Sequence, residues 1–188
     1  MVSVDSKHLN TLINLCRKGY REHQEELYLM FYNYAMSICL RYSKDREEAV
    51  EIVNDGFVKL FGHLDRYKEH TSFKAWLRRI LINSSIDYYR RNEKHYHNVD
   101  ISYAKHEFIT EDALSKISEK EIIQIIRELP PSYRIVFNLF VIEGYNHREI
   151  SDKIGIGVGT SKSNLAIARS KLKRRLLTMN QPRILGHG

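Results

Sequence analysis

The sequence predicts an all-α protein of two helical domains joined by an acidic, irregular linker. Three observations lead there. Apolar residues recur at helical spacing along most of the chain, and no alternating run bounded by turn residues stands out as a strand. Prolines are confined to Pro130, Pro131 and Pro182, so little interrupts the helices. Between Asn92 and about Ser118 the regular spacing is lost, and Asp100, Glu107, Glu111 and Asp112 make that stretch acidic. The expected division is 1–94, a linker over 95–118, a second domain over 119–178 and a frayed tail over 179–188.

The first helix follows Asp5 or Ser6 as N-cap, sets Leu9, Ile13 and Cys16 on one face and stops near Gly19. A second runs from about Glu22 to Tyr42 and buries Leu27, Phe31, Tyr34 and Ile38. The third opens on Asp45 and Glu48, which have capping-box spacing, and buries Ala49, Val53, Phe57, Leu60 and Leu64. A polar loop, residues 67–72, leads to a fourth helix capped by Thr71 or Ser72, with Phe73, Leu77, Ile80 and Ser84 along one side and Trp76 beside them. Beyond the linker, a helix near Glu119–Glu128 ends at Leu129-Pro130-Pro131, because the residue before a proline is pushed out of the helical region. The next helix, Ser132–Glu143, buries Ile135, Val136, Leu139 and Phe140 and stops at Gly144.

The stretch Tyr145–Arg169 then reads as two short helices around a tight turn. Ile150, Ile154, Leu165 and Ala168 face inward, and Gly155 sits where the first helix must stop. Ile156 fills the angle, and Gly157 or Gly159 with Thr160 opens the second helix. Such a pair can form a helix-turn-helix whose second helix enters the DNA major groove, although plain helical hairpins share the pattern. The second helix carries Thr160, Ser161, Lys162, Ser163, Asn164 and Arg169 on its polar side, suited to phosphates and base edges.

Charge favours the DNA reading. From Lys153 onward there is no Asp or Glu, while Lys162, Arg169, Lys171, Lys173, Arg174, Arg175 and Arg183 all lie there. A solvated basic face is the plain alternative, but one-signed charge sustained next to a helix-turn-helix fits phosphate neutralisation better. The whole chain of 188 residues carries a formal net charge of +7, which points to an anionic partner.

The first domain has two further charged surfaces. Glu47, Glu48, Glu51, Asn54 and Asp55 form an acidic face on the third helix, either solvated or docked on a basic protein. The fourth helix interleaves Lys74, Arg78, Arg79, Arg90, Arg91 and Lys94 with Tyr88 and Tyr89. Cations that track a backbone beside aromatics that stack on bases suit single-stranded nucleic acid, and a surface helix with core aromatics fits equally well.

Other classes are poorly supported. There are no paired carboxylates beside a histidine, no glycine-rich phosphate loop and no metal-ligand spacing. His95, His97 and His106 lie in the linker without a nearby Cys or a helical i, i+4 pair, so no metal or cofactor is expected. Cys16 and Cys39 fall on apolar faces and are expected to be buried free thiols, which suits a cytoplasmic setting. No apolar run approaches a membrane span and the N-terminus lacks a signal-peptide core, so a soluble, intracellular protein is expected.

Three segments in order carry a resemblance. DREEAVEIVNDGFVKLFGHLDRY, SFKAWLRRILINSSIDYYRR and LPPSYRIVFNLFVIEGYNHREISDKIGIGVGTSKSNLAIARSKLKRRL are similar to regions 2.1–2.2, 2.3–2.4 and 4 of the extracytoplasmic-function (group IV) sigma factors of bacterial RNA polymerase. The resemblance spans roughly residues 22–178. It implies a non-enzymatic specificity subunit that binds core polymerase through the β′ clamp and β flap, reads promoter DNA and is held by an anti-sigma factor. Glu48, Glu51, Asn54 and Asp55 would then contact the clamp, with Phe57 supporting them from the core. Lys68, Glu69, His70 and Thr71 would line a pocket for a flipped −10 base. Lys74, Trp76, Arg78, Arg79, Asn83, Asp87, Arg90 and Arg91 would meet the melting −10 strand, although Asp87 and Arg91 could instead pair along the helix. Thr160, Ser161, Lys162, Ser163, Asn164, Arg169 and Lys173 would address the −35 element. The acidic linker would thread toward the active site and RNA exit channel.

This chain departs from the family pattern in places. Asn54-Asp55 replaces Gln-Glu, Gly157 stands where a capping Ser is common, and Ser161 replaces a buried Val. Asn164 stands where Arg is common and could pair with an adenine edge. A stand-alone helix-turn-helix regulator would account for residues 129–178 but leaves the third and fourth helices unexplained.

Overall fold

Helix starts and stops follow the side chains able to satisfy free backbone ends in the computed structural model, which describes residues 6–69, 71–96 and 118–180. The helices are α1 (Ser6–Arg17), α2 (Arg21–Cys39), α3 (Arg46–Gly62), α4 (Phe73–Tyr96), α5 (Glu119–Arg127), α6 (Pro131–Phe137), α7 (His147–Ile154) and α8 (Val158–Asn180). A 3-10 turn, Leu64–Arg66, follows α3, and α6 runs on as a π-helical turn over Asn138–Ile142. No strand occurs among the described residues, and the fold is all-α. Most of the linker expected over 95–118, most of the tail over 179–188, the cap Asp5, and the side chains of His95, His97 and His106 lie outside the described residues.

Two helices differ from expectation. The second stops at Cys39 rather than near Tyr42, because the bonds Arg41 N–H to Ile38 O and Tyr42 N–H to Cys39 O tighten the end into a turn. The expected Ser132–Glu143 helix is split by the π turn, where Glu143 N–H reaches back five residues to Asn138 O at 3.0 Å. Asn138 is buried, and its Nδ2 donates to Arg134 O at 2.9 Å, the same carbonyl its own backbone N–H uses.

The chain divides between Tyr88 and Tyr89 into two units. In the first, α1 packs on α2 and α2 on α3, with α1 also against the 3-10 turn. Leu12, Ile13, Leu27, Phe31, Ile38, Val53, Phe57, Leu60 and Leu77 supply much of its buried apolar surface. Phe31 of α2 meets Phe73 of α4 with ring centroids 4.9 Å apart, and Tyr67 adds an edge-on contact to Phe73 at 5.4 Å. At Gly56 a Cβ would fall 2.7 Å from Leu81 Cδ2, so glycine is what lets α3 approach α4 there. Cys16 and Cys39 are buried and free, and burial pushes their thiols up to about 11 and about 12, leaving them inert.

In the second unit, α8 packs along α6, α7 and α5. Ile125, Ile126, Leu129, Tyr133, Ala168 and Leu172 form one buried cluster, edged by Phe137, Ile142, Ile167 and Leu176. Ser118 opens α5 with a reciprocal capping box to Glu121, which holds that carboxyl below its ordinary range. Gly144 and Gly155 take the positive φ expected of them, +78° and +76°.

Candidate nucleic-acid interface

The acidic face of α3 begins with a cap. Asp45 Oδ1 accepts the Glu48 N–H at 2.8 Å, as the spacing implied. Glu48 itself folds back, accepting the Lys44 N–H at 2.9 Å and lying 3.1 Å from Lys44 Nζ. It is only 7% exposed. That corrects its expected place on the open face, since its carboxylate is taken up by the start of its own helix. Glu51 and Asn54 are exposed and Asp55 is half-buried. Tyr28 OH donates to Asn54 Oδ1 at 3.0 Å, which braces that amide from α2.

Sequence reasoning missed Val58, 72% exposed and in helical register with Glu51, Asn54 and Asp55. Its signal was its position one residue past the buried stripe at Phe57. Leu29 on α2 is similarly bare at 64%.

Along α4, Arg79, Asn83 and Asp87 are spaced by four and exposed, and Arg90 and Arg91 further along the helix are exposed as well. Arg78 is half-buried. Asp87 takes Lys59 Nζ of α3 at 2.7 Å, a partner the spacing to Arg91 did not suggest. Lys74 is exposed, with Nζ 5.7 Å from the Tyr34 ring centroid. The aromatics fit the alternative of a surface helix with core aromatics. Tyr89 is buried and Tyr88 half-buried, and half-buried Trp76 leans on Tyr67 at 5.3 Å and Phe73 at 5.9 Å. They belong largely to the packing.

In the loop ahead of α4, the side chains of Lys68, Glu69 and Thr71 are exposed, and His70 lies outside the described residues. Thr71 Oγ1 donates to Lys68 O at 2.8 Å and Tyr67 OH to Thr71 O at 2.7 Å. Ser72 Oγ accepts the Ala75 N–H at 3.4 Å, making it the cap at the start of α4.

The helix-turn-helix is framed by short-range bonds. Asn146 Oδ1 accepts from Arg148 N–H at 2.9 Å and Glu149 N–H at 3.0 Å, while Glu149 Oε2 accepts the Asn146 N–H at 2.8 Å. Ser151 Oγ donates to Ile156 O at 2.6 Å across the turn, and Gly157 O accepts the Ser161 N–H that starts α8. Thr160, Lys162, Ser163 and Arg169 are exposed and Lys173 is half-buried. Lys162, Ala166, Arg169 and Lys173 share one face, with Val158, 40% exposed, at its head.

Ser161 and Asn164 do not belong to that face. Ser161 is 0% and Asn164 9% exposed, which corrects their expected place among the outward donors. Ser161 falls in register with Leu165 and Ala168, and its Oγ lies 2.9 Å from His147 Nδ1. The His147 ring also stacks on Phe140 at 4.5 Å, and the Arg169 guanidinium sits 5.7 Å from the same phenyl centroid. Burial first, then Lys162 and Arg169, hold His147 below its ordinary 6.5, so it is neutral at pH 7.

Two family models match this chain in order: sigma-70 region 2 over residues 27–95 and sigma-70 region 4 over residues 119–172. The chain is 27% identical to the ECF RNA polymerase sigma factor SigM of Bacillus subtilis over 151 residues, covering 79% of this chain and 92% of that protein. It is also 27% identical to the ECF RNA polymerase sigma factor SigW of the same organism over 177 residues, covering 87% and 94%. Among solved structures, the sigma factor RpoE in complex with the anti-sigma factor NepR from Bartonella quintana aligns with a TM-score of 0.47 at 20% identity, covering 84% of this chain and 98% of that one.

Proposed function

The chain belongs to the extracytoplasmic-function group of the sigma-70 family, and from that premise we propose a division of labour among its surfaces. It serves core RNA polymerase in the bacterial cytoplasm as the subunit that selects promoters and helps open them, with no chemistry of its own. The observation that carries this is the ordered pair of region matches, the first over α2–α4 and the second over α5–α8, each with exposed charged residues. No described helix is long and apolar enough to cross a membrane.

Residues 1–94 act as region 2, 95–118 as the linker and 119–178 as region 4, followed by the tail. Glu51, Asn54 and Asp55, with Val58 as an apolar centre, dock on the β′ clamp, where charge guides the encounter and the desolvated apolar contact holds it. Glu48 supports them by holding the Lys44 N–H and ammonium at the start of α3.

The exposed α4 row, with Lys74 and Arg78, follows the −10 strand backbone. Lys68, Glu69 and Thr71 frame a pocket for one extruded base, and Trp76 stiffens its wall. Extrusion costs a few kcal/mol, which stacking and hydrogen bonds to the base edge must offset. Recognition and melting are thus one event.

Region 4 lays α8 in the −35 major groove. Lys162, Arg169 and Lys173 reach phosphates, Thr160 and Ser163 reach base edges or phosphates, and Val158 is placed to meet a thymine methyl. Ser161 and Asn164 set the depth of the helix rather than read bases. Region 4 also meets the β flap, and an anti-sigma factor covers these faces until released. Purified core polymerase plus this protein is expected to start transcription at discrete promoters in a genomic library, mapped by sequencing 5′ ends. Absence of discrete starts across the library would overturn the reading.

A further inference from the structure

The loop assigned above to base capture is held by a residue 50 positions earlier in the chain. Arg17 is the last residue of α1, and the region 2 match begins only at residue 27. Its Nη2 donates to Tyr67 O at 2.8 Å and its Nε to Leu64 O at 3.2 Å. Its Nη1 reaches Asn14 Oδ1 at 2.8 Å and Glu69 Oε1 at 3.3 Å. Asn14 Nδ2 approaches the same Glu69 oxygen at 3.4 Å. One planar guanidinium therefore spans a carbonyl of the 3-10 turn, Leu64 O, a carbonyl of the loop, Tyr67 O, and the Glu69 carboxylate, a geometry that a point charge cannot reproduce.

The loop's own bonds continue from that clasp. Tyr67 OH donates to Thr71 O at 2.7 Å, and both Thr71 N–H and Thr71 Oγ1 turn back to Lys68 O, at 2.9 and 2.8 Å. The order runs from α1 through Arg17 to Tyr67 and Glu69, then to Lys68 and Thr71 at the exposed tip. A pocket ordered before the strand arrives need not lose that freedom on binding.

We propose that Arg17 is a positioning residue for −10 base capture, clasping the loop into its receiving shape from ahead of the segment that matches region 2. The proposal rests on the assignment of base capture to this loop. Arg17→Lys keeps the charge and stem without the fork, and Arg17→Ala removes both.

The test compares each variant with the parent in reconstituted holoenzyme. The template pool is built on one mapped promoter with its −10 and −35 positions randomised, and transcripts are read by sequencing. Both variants are expected to lose about tenfold of the base preference at one −10 position, toward the lower end of what a wrong base costs, with −35 preferences and core affinity kept. Hydrogen exchange on the full chain is expected to speed up at Tyr67 and Thr71 and not in α2 or α3. Parental preference at every −10 position would overturn the proposal, as would a uniform loss across −10, −35 and core binding, the mark of a general folding defect. Should Arg17→Ala fail to fold, Arg17→Lys carries the test. If the parent protein itself shows no −10 preference, the base-capture reading fails first and takes this proposal with it.

Discussion

The two units secure their working surfaces over different distances along the chain. In the C-terminal unit the supports around the helix starts and turns are local: Ser118 with Glu121, Asn146 with Glu149, Ser151 with Ile156, and glycines at positive φ at 144 and 155. Arg175 with Glu128 and His147 with Ser161 reach further along the chain. In the N-terminal unit local bonds such as the Asp45 cap are joined by several remote ones: Arg17 on Tyr67, Tyr28 on Asn54, Phe31 on Phe73 and Lys59 on Asp87. A reader of duplex DNA needs one rigid helix at a set angle, which short-range caps provide. On the proposed assignment, a pocket for an extruded base beside a polymerase-docking helix needs several segments held in register, which tertiary contacts provide.

Breaking a remote support should cost most. Phe31→Ala removes a ring 2% exposed that links α2 to α4, and is expected to destabilise the protein by about 3–5 kcal/mol. Hydrogen exchange should show protection lost in α2–α4 and kept in α6–α8. Next comes Gly56→Ala, whose new methyl meets buried Leu81 at 2.7 Å, at an expected cost of about 1–3 kcal/mol in denaturant titration.

A local support should cost less and stay local. Asn146→Ala deletes the α7 cap, for an expected loss of about 1 kcal/mol confined to the C-terminal unit. Smallest is the His147 effect. Its ring is held below 6.5, so the unfolded chain binds the proton more readily than the folded one. Stability owed to this group is complete above pH 6.5 and falls as the pH drops below it. The fall in melting temperature between about pH 7.5 and pH 5.5 should therefore be larger in the parent than in His147→Gln.

The same contrast explains what the sequence disclosed. The Asp45 cap, the Pro130-Pro131 joint and the turns at Gly144 and Gly155 depend on neighbours within a few residues, and each was legible. So was the all-α class, from periodicity. In sequence Ser161 reads as one of the polar donors, although it stands where the family buries a Val and is in register with Leu165 and Ala168, and the structure adds the His147 ring that meets its hydroxyl. Glu48 had capping-box spacing, but its bond to Lys44 N–H, one residue before the cap, and its burial depend on packed geometry. Asp87 offered Arg91 at i+4 and took Lys59 from another helix. Arg17 showed only Asn14 nearby, and its partners on the turn and loop lie about fifty residues on.

The most direct measurement is a separation of binding by charge reversal. Glu51→Lys with Asp55→Lys is set against Lys162→Glu with Arg169→Glu, each titrated with core polymerase and, separately, with a duplex carrying a mapped −35 element. The first pair is expected to weaken polymerase binding by about 100-fold or more while leaving duplex binding at least as tight. The second is expected to keep polymerase binding and lose the duplex, with a shallower salt dependence for each phosphate contact removed. If the first pair binds polymerase as the parent does, or the second still holds the duplex, the assignment of these surfaces is wrong.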